Sequence, residues 1–350
     1  MSKKNTHHLW NLFLNNIYPD KQYRPVSLYD IQTPEVSEFL LINGFRPKYP
    51  GGRRFAVLIS HDVDFLNQPF SYWSISKKTI KNALHLKWKR SYNLFKDLVA
   101  YTNRNSYELN RLLDFLSERE LKSTFYFLAL DKHDSEFQYQ IEEQEATLQR
   151  LLDNGYEIGL HGSQNACYSY DRIAKERDKI NSVLGFRPKG YRNHLLNFDV
   201  FNTWKYLEKA GFLYDTSLGF NNNIGFRNGM AYPYNPYCEL DKRFLEILEI
   251  PLNIMDVVFT KQLKYNINDS YKAAIKLIDT VIKQGGVLTL LWHHNLFTGD
   301  KKKLLGLLFE YIEYHGGWVT TYQELTSYWL RNNFNKKVND MINTLLKPDC

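Results

Sequence analysis

Ser60, His61, Asp62 and Asp64 follow directly on an unbroken apolar run in the stretch Phe55-Ala-Val-Leu-Ile-Ser-His-Asp-Val-Asp64. These are groups that exchange protons or bind metal ions. Side chains alternate faces along a strand, so Asp62 and Asp64 point one way and His61 and Val63 the other. Two neighbouring carboxylates repel, and burial raises the cost. A cation beside them removes the conflict; a helix cap or a solvated surface pair would also tolerate them. Phe55–Ile59 has the length and type of a strand buried in a parallel sheet. Sites in α/β proteins are built at the carboxyl ends of such strands.

The rest of the chain must supply partners for that stretch. Helical periodicity predicts helices over 107–119, 141–152, 170–184, 200–210, 270–283 and 304–314. Short apolar runs predict strands at 123–128, 156–160, 190–194, within 244–255, at 287–292 and at 318–320. Strands alternating with helices imply a parallel sheet or barrel with helices outside. Strand after strand ends in an ionisable group: Asp62 and Asp64, His161, Arg192 and His194, then His293 and His294. Any one of these suits a structural role; their recurrence at successive strand ends points to a catalytic site.

The 350 residues, 43% of them hydrophobic, suffice for one large α/β domain or two ordinary ones. Residues 1–52 read as an N-terminal extension broken by prolines, 53–330 as the catalytic domain and 331–350 as a C-terminal tail. An insertion at 66–104 follows the first strand. Its segment 77–96 holds seven Lys or Arg and no acid. It suits a membrane-surface helix, a lid attracting an anionic substrate, or a solvated helical face. The net charge of +7 permits anionic partners, and no nucleic-acid motif is present. Cys167, Cys238 and Cys350 are too few for a disulfide framework, which fits a reducing, cytoplasmic compartment. No apolar run approaches membrane-spanning length.

The ordered motifs Ser60-His-Asp-Val-Asp64, Lys122-Ser-Thr-Phe-Tyr-Phe127, His161-Gly-Ser-Gln-Asn165, Arg187-Pro-Lys-Gly-Tyr-Arg192 and Leu290-Leu-Trp-His293 resemble the polysaccharide deacetylase, or NodB-homology, family (carbohydrate esterase family 4). The resemblance covers about residues 53 to 322 and implies an α/β fold, a distorted (β/α)7-type NodB-like barrel. It makes Asp62 the catalytic base, Asp64 and His161 metal ligands, Arg192 the group that orients the base, and His293 the acid on the leaving amine, with His294 the alternative. The family's second motif carries two histidines four residues apart; here Asn165 stands in the second place. A catalytic zinc site has three protein ligands, so His194, near Arg192, is the favoured third ligand and Asn165 the second choice. His61 is either a further ligand or a histidine hydrogen-bonded behind the ligands.

The activity implied is hydrolysis, with a divalent metal (zinc) as cofactor, of an N-acetyl or other N-acyl group on an amino sugar in surface-polysaccharide or O-antigen biosynthesis. Ser163, Asn165, Arg227, Glu249 and His294 are the expected substrate contacts. Asp215 caps a helix or meets substrate. Three alternatives stay open: hydrolysis of other non-peptide C–N bonds on the same fold, as in allantoinase-like relatives; an inactive carbohydrate-binding relative; or a membrane-surface or scaffold protein acting through 77–96.

Overall fold

The computed structural model describes residues 3–14, 30–66, 107–295 and 297–345. The basic segment 77–96 and nearly all of the expected insertion lie outside the described residues. Two helices precede the sheet, α1 (Lys3–Phe13) and α2 (Glu35–Ile42). Strand β1 spans Phe55–Val63, and all nine of its residues are buried. Both of its faces are covered, which is why it reads as a continuous apolar run rather than an alternating one. The chain continues through α3 (Tyr107–Ser117), β2 (Thr124–Leu128), α4 (Glu145–Asp153), β3 (Glu157–Gly162), α5 (Tyr170–Leu184), β4 (Gly190–Asn193), α6 (Thr203–Ala210) and β5 (Tyr214–Asp215). A small hairpin follows, β6 (Tyr237–Cys238) and β7 (Arg243–Phe244), then β8 (Leu248–Glu249) and β9 (Ile254–Met255). The last elements are α7 (Ile267–Gln284), β10 (Val287–Leu291), α8 (Gly299–Tyr314), β11 (Gly317–Thr320), α9 (Tyr322–Arg331) and α10 (Phe334–Leu345).

The strands form one curled parallel sheet in the order β8-β5-β4-β3-β2-β1-β10-β9, with β11 added beside β1. The expected (β/α) barrel is therefore present. β1 is long enough to fork: Phe55–Leu58 pair with β11 and Ser60–Val63 with β2 along the same edge. The single strand expected within 244–255 is instead three short pieces, β7, β8 and β9. Pro251 separates the last two, and proline has no N–H to donate to a ladder. Side chains make up part of the pairing there. Thr289 N donates to Asn253 Oδ1 (3.0 Å) and Asn253 N donates to Thr289 Oγ1 (2.7 Å). Residues 248–255 thus join the two ends of the sheet and curl it towards closure.

The interior of the curl is packed with tyrosines standing over glycines. A Cβ on Gly159 would collide with the Tyr126 ring, and one on Gly190 with the Tyr214 ring. Both tyrosines are fully buried. The described terminal elements share the same core: Trp10, Leu12 and Phe13 of α1, Val36 and Leu40 of α2, and Val338 and Ile342 of α10 are buried in it. No helix among the described residues is long and apolar enough to cross a membrane.

Candidate active site and metal centre

The parallel register brings the carboxyl ends of β1, β3 and β4 together. His161 on β3 lies opposite Arg192 on β4, and its Nδ1 donates to the Arg192 carbonyl at 3.0 Å. A carbonyl only accepts, so Nδ1 carries a proton, and Nε2 is the nitrogen that the neutral ring offers to a ligand. Nε2 points at Asp64 Oδ1, 3.2 Å away, yet the two do not meet in hydrogen-bond geometry. Both atoms are buried without a hydrogen-bond partner among the described residues. His194 Nε2 lies 3.9 Å from the same Asp64 oxygen, while its Nδ1 faces Glu136 Oε2 at 3.3 Å.

Asp64, His161 and His194 each offer one ligand atom, all within 4.8 Å of one another. Two orphaned buried atoms aimed at one point, with each histidine steadied through its other nitrogen, are what a divalent cation requires. The residues present fit a metal. Asn165 is exposed on the turn after β3. His61 points away: its Nδ1 donates to the Trp292 carbonyl at 2.6 Å, its ring lies against Phe125, and burial lowers its pKa to about 3. Burial favours the neutral form of Asp64, but His161, His293 and His194 outweigh it and hold that carboxyl well below its ordinary range. Burial likewise opposes the charged form of His161, and Asp62 and Asp64 beside it more than compensate.

Asp62 occupies the same face one turn of the pleat earlier. Its Oδ1 accepts from Arg192 Nη1 at 2.9 Å. The guanidinium is fully buried and held on every side. Nη1 also donates to Ser60 Oγ (2.8 Å), Nη2 to Thr216 Oγ1 (3.3 Å) and Tyr322 Oη (3.2 Å), and Nε to the Thr216 carbonyl (3.2 Å). The plane lies 4.5 Å from the Tyr126 ring centroid. Burial disfavours its charge, and Asp62 overrides that. Asp62 is therefore clamped in one orientation, with Oδ2 turned toward His161 Nε2 at 3.8 Å.

Across the cavity, His293 Nδ1 meets Asp256 Oδ1 at 2.6 Å and its backbone N donates to Asp256 Oδ2 at 3.2 Å. Lys301 Nζ, from the first turn of α8, pairs with Asp256 Oδ2 at 2.5 Å. Burial opposes the imidazolium of His293, but Asp256 raises its pKa above the ordinary value. His293 and Lys301 hold Asp256 at a pKa of about 2 against burial. Asp62, Asp64, His194, Asp256 and His293 all line one cavity of about 630 Å³.

The five residues expected to contact substrate lie elsewhere, and none lines this cavity. Ser163 donates its hydroxyl to Glu176 at 2.5 Å. His294 faces the Phe65 carbonyl at 2.8 Å. Arg227 is fully buried and donates to the Gly219 carbonyl at 3.1 Å. Glu249, also fully buried, accepts from Trp204 Nε1 (2.8 Å) and Leu218 N (3.2 Å). Asp215 caps no helix: Tyr214–Asp215 is a strand, and its Oδ1 accepts from Ser217 N and Oγ. Three residues of the site escaped the sequence reading. Asp256 had a signal, an acid closing an apolar run; Glu136 and Tyr322 had none.

Glu249 and Asp215 are register partners on adjacent strands, both fully buried. Burial raises both pKa values, and for Glu249 the Asp215 charge raises it further. Carboxyls raised on folding bind protons more tightly in the folded state. Their stability is complete below the unfolded pKa of about 4 and is lost as pH rises through the folded value. Asp215→Asn replaces Oδ2 with a permanent donor to Glu249 and keeps Oδ1 for Ser217. Wild type is expected to lose melting temperature relative to this variant between pH 5 and pH 9. A difference that does not change with pH would show that the pair shares no proton.

No family model and no curated protein matches the chain. Solved structures do. A protein assigned as a polysaccharide deacetylase from Mycobacterium smegmatis aligns at 18% identity over 82% of this chain and 94% of its own, with a TM-score of 0.56. PuuE allantoinase aligns at 15% identity over 92% of this chain and 100% of its own, with a TM-score of 0.56. A family 4 carbohydrate esterase from Streptomyces lividans, in complex with acetate, aligns more loosely, at 10% identity over 76% of this chain and 92% of its own, with a TM-score of 0.40. With its curled parallel sheet and a candidate site at the strand carboxyl ends, the chain has the NodB-homology fold of the polysaccharide deacetylases.

Proposed function

We propose that the protein is a metal-dependent hydrolase that removes an N-acyl group, in the first instance N-acetyl, from an amino sugar. One observation carries the reading. Asp62, Asp64, His194 and His293 face a single cavity, with His161 behind Asp64 and Arg192 on Asp62. Asp64, His161 and His194 would hold the cation, zinc in this reading, since catalytic zinc sites include sets of two histidines and one carboxylate. A cation there supplies Lewis acidity at the acyl oxygen. Asp62, oriented by Arg192, takes a proton from the attacking water as oxygen bonds to the acyl carbon. His293, charged with the help of Asp256, gives a proton to the nitrogen as the C–N bond breaks. The products are acetate and the free amine.

The wider reading is a step on a precursor of a surface polysaccharide such as an O-antigen, carried out in the cytoplasm. The free, buried thiols of Cys167 and Cys238 support that compartment.

Metal analysis and an acetate-release assay on N-acetylated amino sugars test the reading together. One divalent ion per chain and metal-dependent acetate release are expected. His194→Ala is expected to weaken metal affinity by more than the roughly 10- to 100-fold that loss of an outer hydrogen-bonding partner costs. Glu136→Gln should fall within that range, and Asn165→Ala should leave affinity unchanged. Full affinity in His194→Ala would move the third ligand elsewhere. A protein that binds no metal and releases no acetate would be an inactive relative.

A further inference from the structure

We propose that the cavity beside the candidate centre is a subsite for an apolar aglycone, so that the amino sugar is presented on a hydrocarbon chain rather than within a sugar polymer. The inference rests on the proposed deacylation and names its substrate class. Beyond the charged centre the cavity wall is built from Leu195, Leu196, Met255, Val257, Phe259 and Leu304. Of the polar lining residues, Asn221, Thr260, Lys261, Gln262 and Asn266 are exposed towards solvent and Ser270 is buried. Sugar units laid against these six apolar side chains would lose water from hydroxyls that those side chains cannot replace, a net cost for each. A hydrocarbon chain pays no such cost and gains by leaving water.

Leu195 and Leu196 supply an independent sign. They follow His194 directly, and both are left-handed, at φ 59° and 57°. The turn is braced: Asn193 Nδ2 donates to the carbonyls of Gln164 (3.2 Å) and His194 (3.1 Å), and Asn197 Nδ2 donates to Gln164 (3.1 Å). Leu196 is buried, so packing accounts for it. Leu195 is 51% exposed at the cavity. Glycine or asparagine would make the same turn with less strain. A leucine here is both strained and exposed, and what it adds is an apolar surface beside the reacting centre.

The test uses the metal-loaded, full-length protein and alkyl glycosides of N-acetylglucosamine from methyl to octyl, with N-acetylglucosamine oligomers as the polymer arm. Acetate release gives kcat/KM, and calorimetry gives binding independently of turnover. Binding and kcat/KM are expected to rise about two- to fourfold per methylene until the cavity is filled, while oligomers gain nothing over the methyl glycoside. Leu195→Asn is expected to raise the melting temperature and to flatten the dependence on chain length. Chain-length-dependent binding without acetate release from any glycoside would uphold the subsite and overturn the deacylation reading. Acetate release or binding indifferent to chain length, or a larger gain from oligomers, would overturn the subsite. A more stable Leu195→Asn variant with an unchanged chain-length slope would assign Leu195 to the turn alone and overturn the subsite as placed here.

Discussion

Asp62→Asn is expected to lower kcat by roughly 10²- to 10⁴-fold, the range attributed to a positioned general base, while metal content stays near that of wild type. The asymmetry follows from the geometry. Asparagine keeps the Oδ1 acceptor that meets Arg192 Nη1 at 2.9 Å, so the buried guanidinium is not abandoned and the fold survives. It removes only the ability to take up a proton at neutral pH. Asp64, His161 and His194 are untouched and still converge within 4.8 Å. Acetate release and metal analysis on one preparation check both halves. Turnover within a few-fold of wild type would place the base elsewhere. Loss of metal together with activity would place Asp62 among the ligands.

Arg192→Met should have the largest effect on stability. Arg192 is fully buried, and its removal strands Asp62 while leaving Ser60, Thr216 and Tyr322 without their shared donor. Breaking a buried ion pair by deleting one partner costs about 3–5 kcal/mol. Methionine recovers part of the packing against Tyr126 but none of the hydrogen bonds. The measurement is the denaturant midpoint at constant m-value, which isolates stability from changes in compactness. Combining the change with Asp62→Asn should cost less than the two single losses added together, because the second removes the charge that the first leaves unpaired. Strict additivity, or a single-variant loss below about 1 kcal/mol, would show that the pair is not coupled as drawn. The same arginine thus positions the candidate base and carries part of the core. This is why Arg192 is fixed from several elements at once: β1, the loop after β5, and the start of α9.

Much of this protein is settled by local rules that a sequence displays. The apolar run Phe55–Ile59 has the length and type of a strand covered on both faces, and strand alternation put Asp62 and Asp64 on one side of it. Alternating periodicities gave the β-α order, and ionisable residues closing successive strands marked the face that carries the site. The resemblance in those motifs identified Arg192, and the structure sets its guanidinium against Asp62.

Contacts across the chain were decided only by the tertiary structure. A polar residue near a strand end reads the same whether it faces the cavity or the packed interior. Glu249 on β8 and Arg227 in the loop after β5 are both fully buried and hydrogen-bonded within the protein. Asp256 and His293 are 37 residues apart, and only the pairing of β9 with β10 makes them neighbours. Asn165 is four residues on from His161 by spacing, yet the turn after β3 leaves it exposed, while His194, at the end of β4, comes within reach of Asp64 and His161. Spacing along a chain fixes which face a side chain takes within one element; which element arrives opposite is fixed by register and closure, and those are properties of the whole sheet.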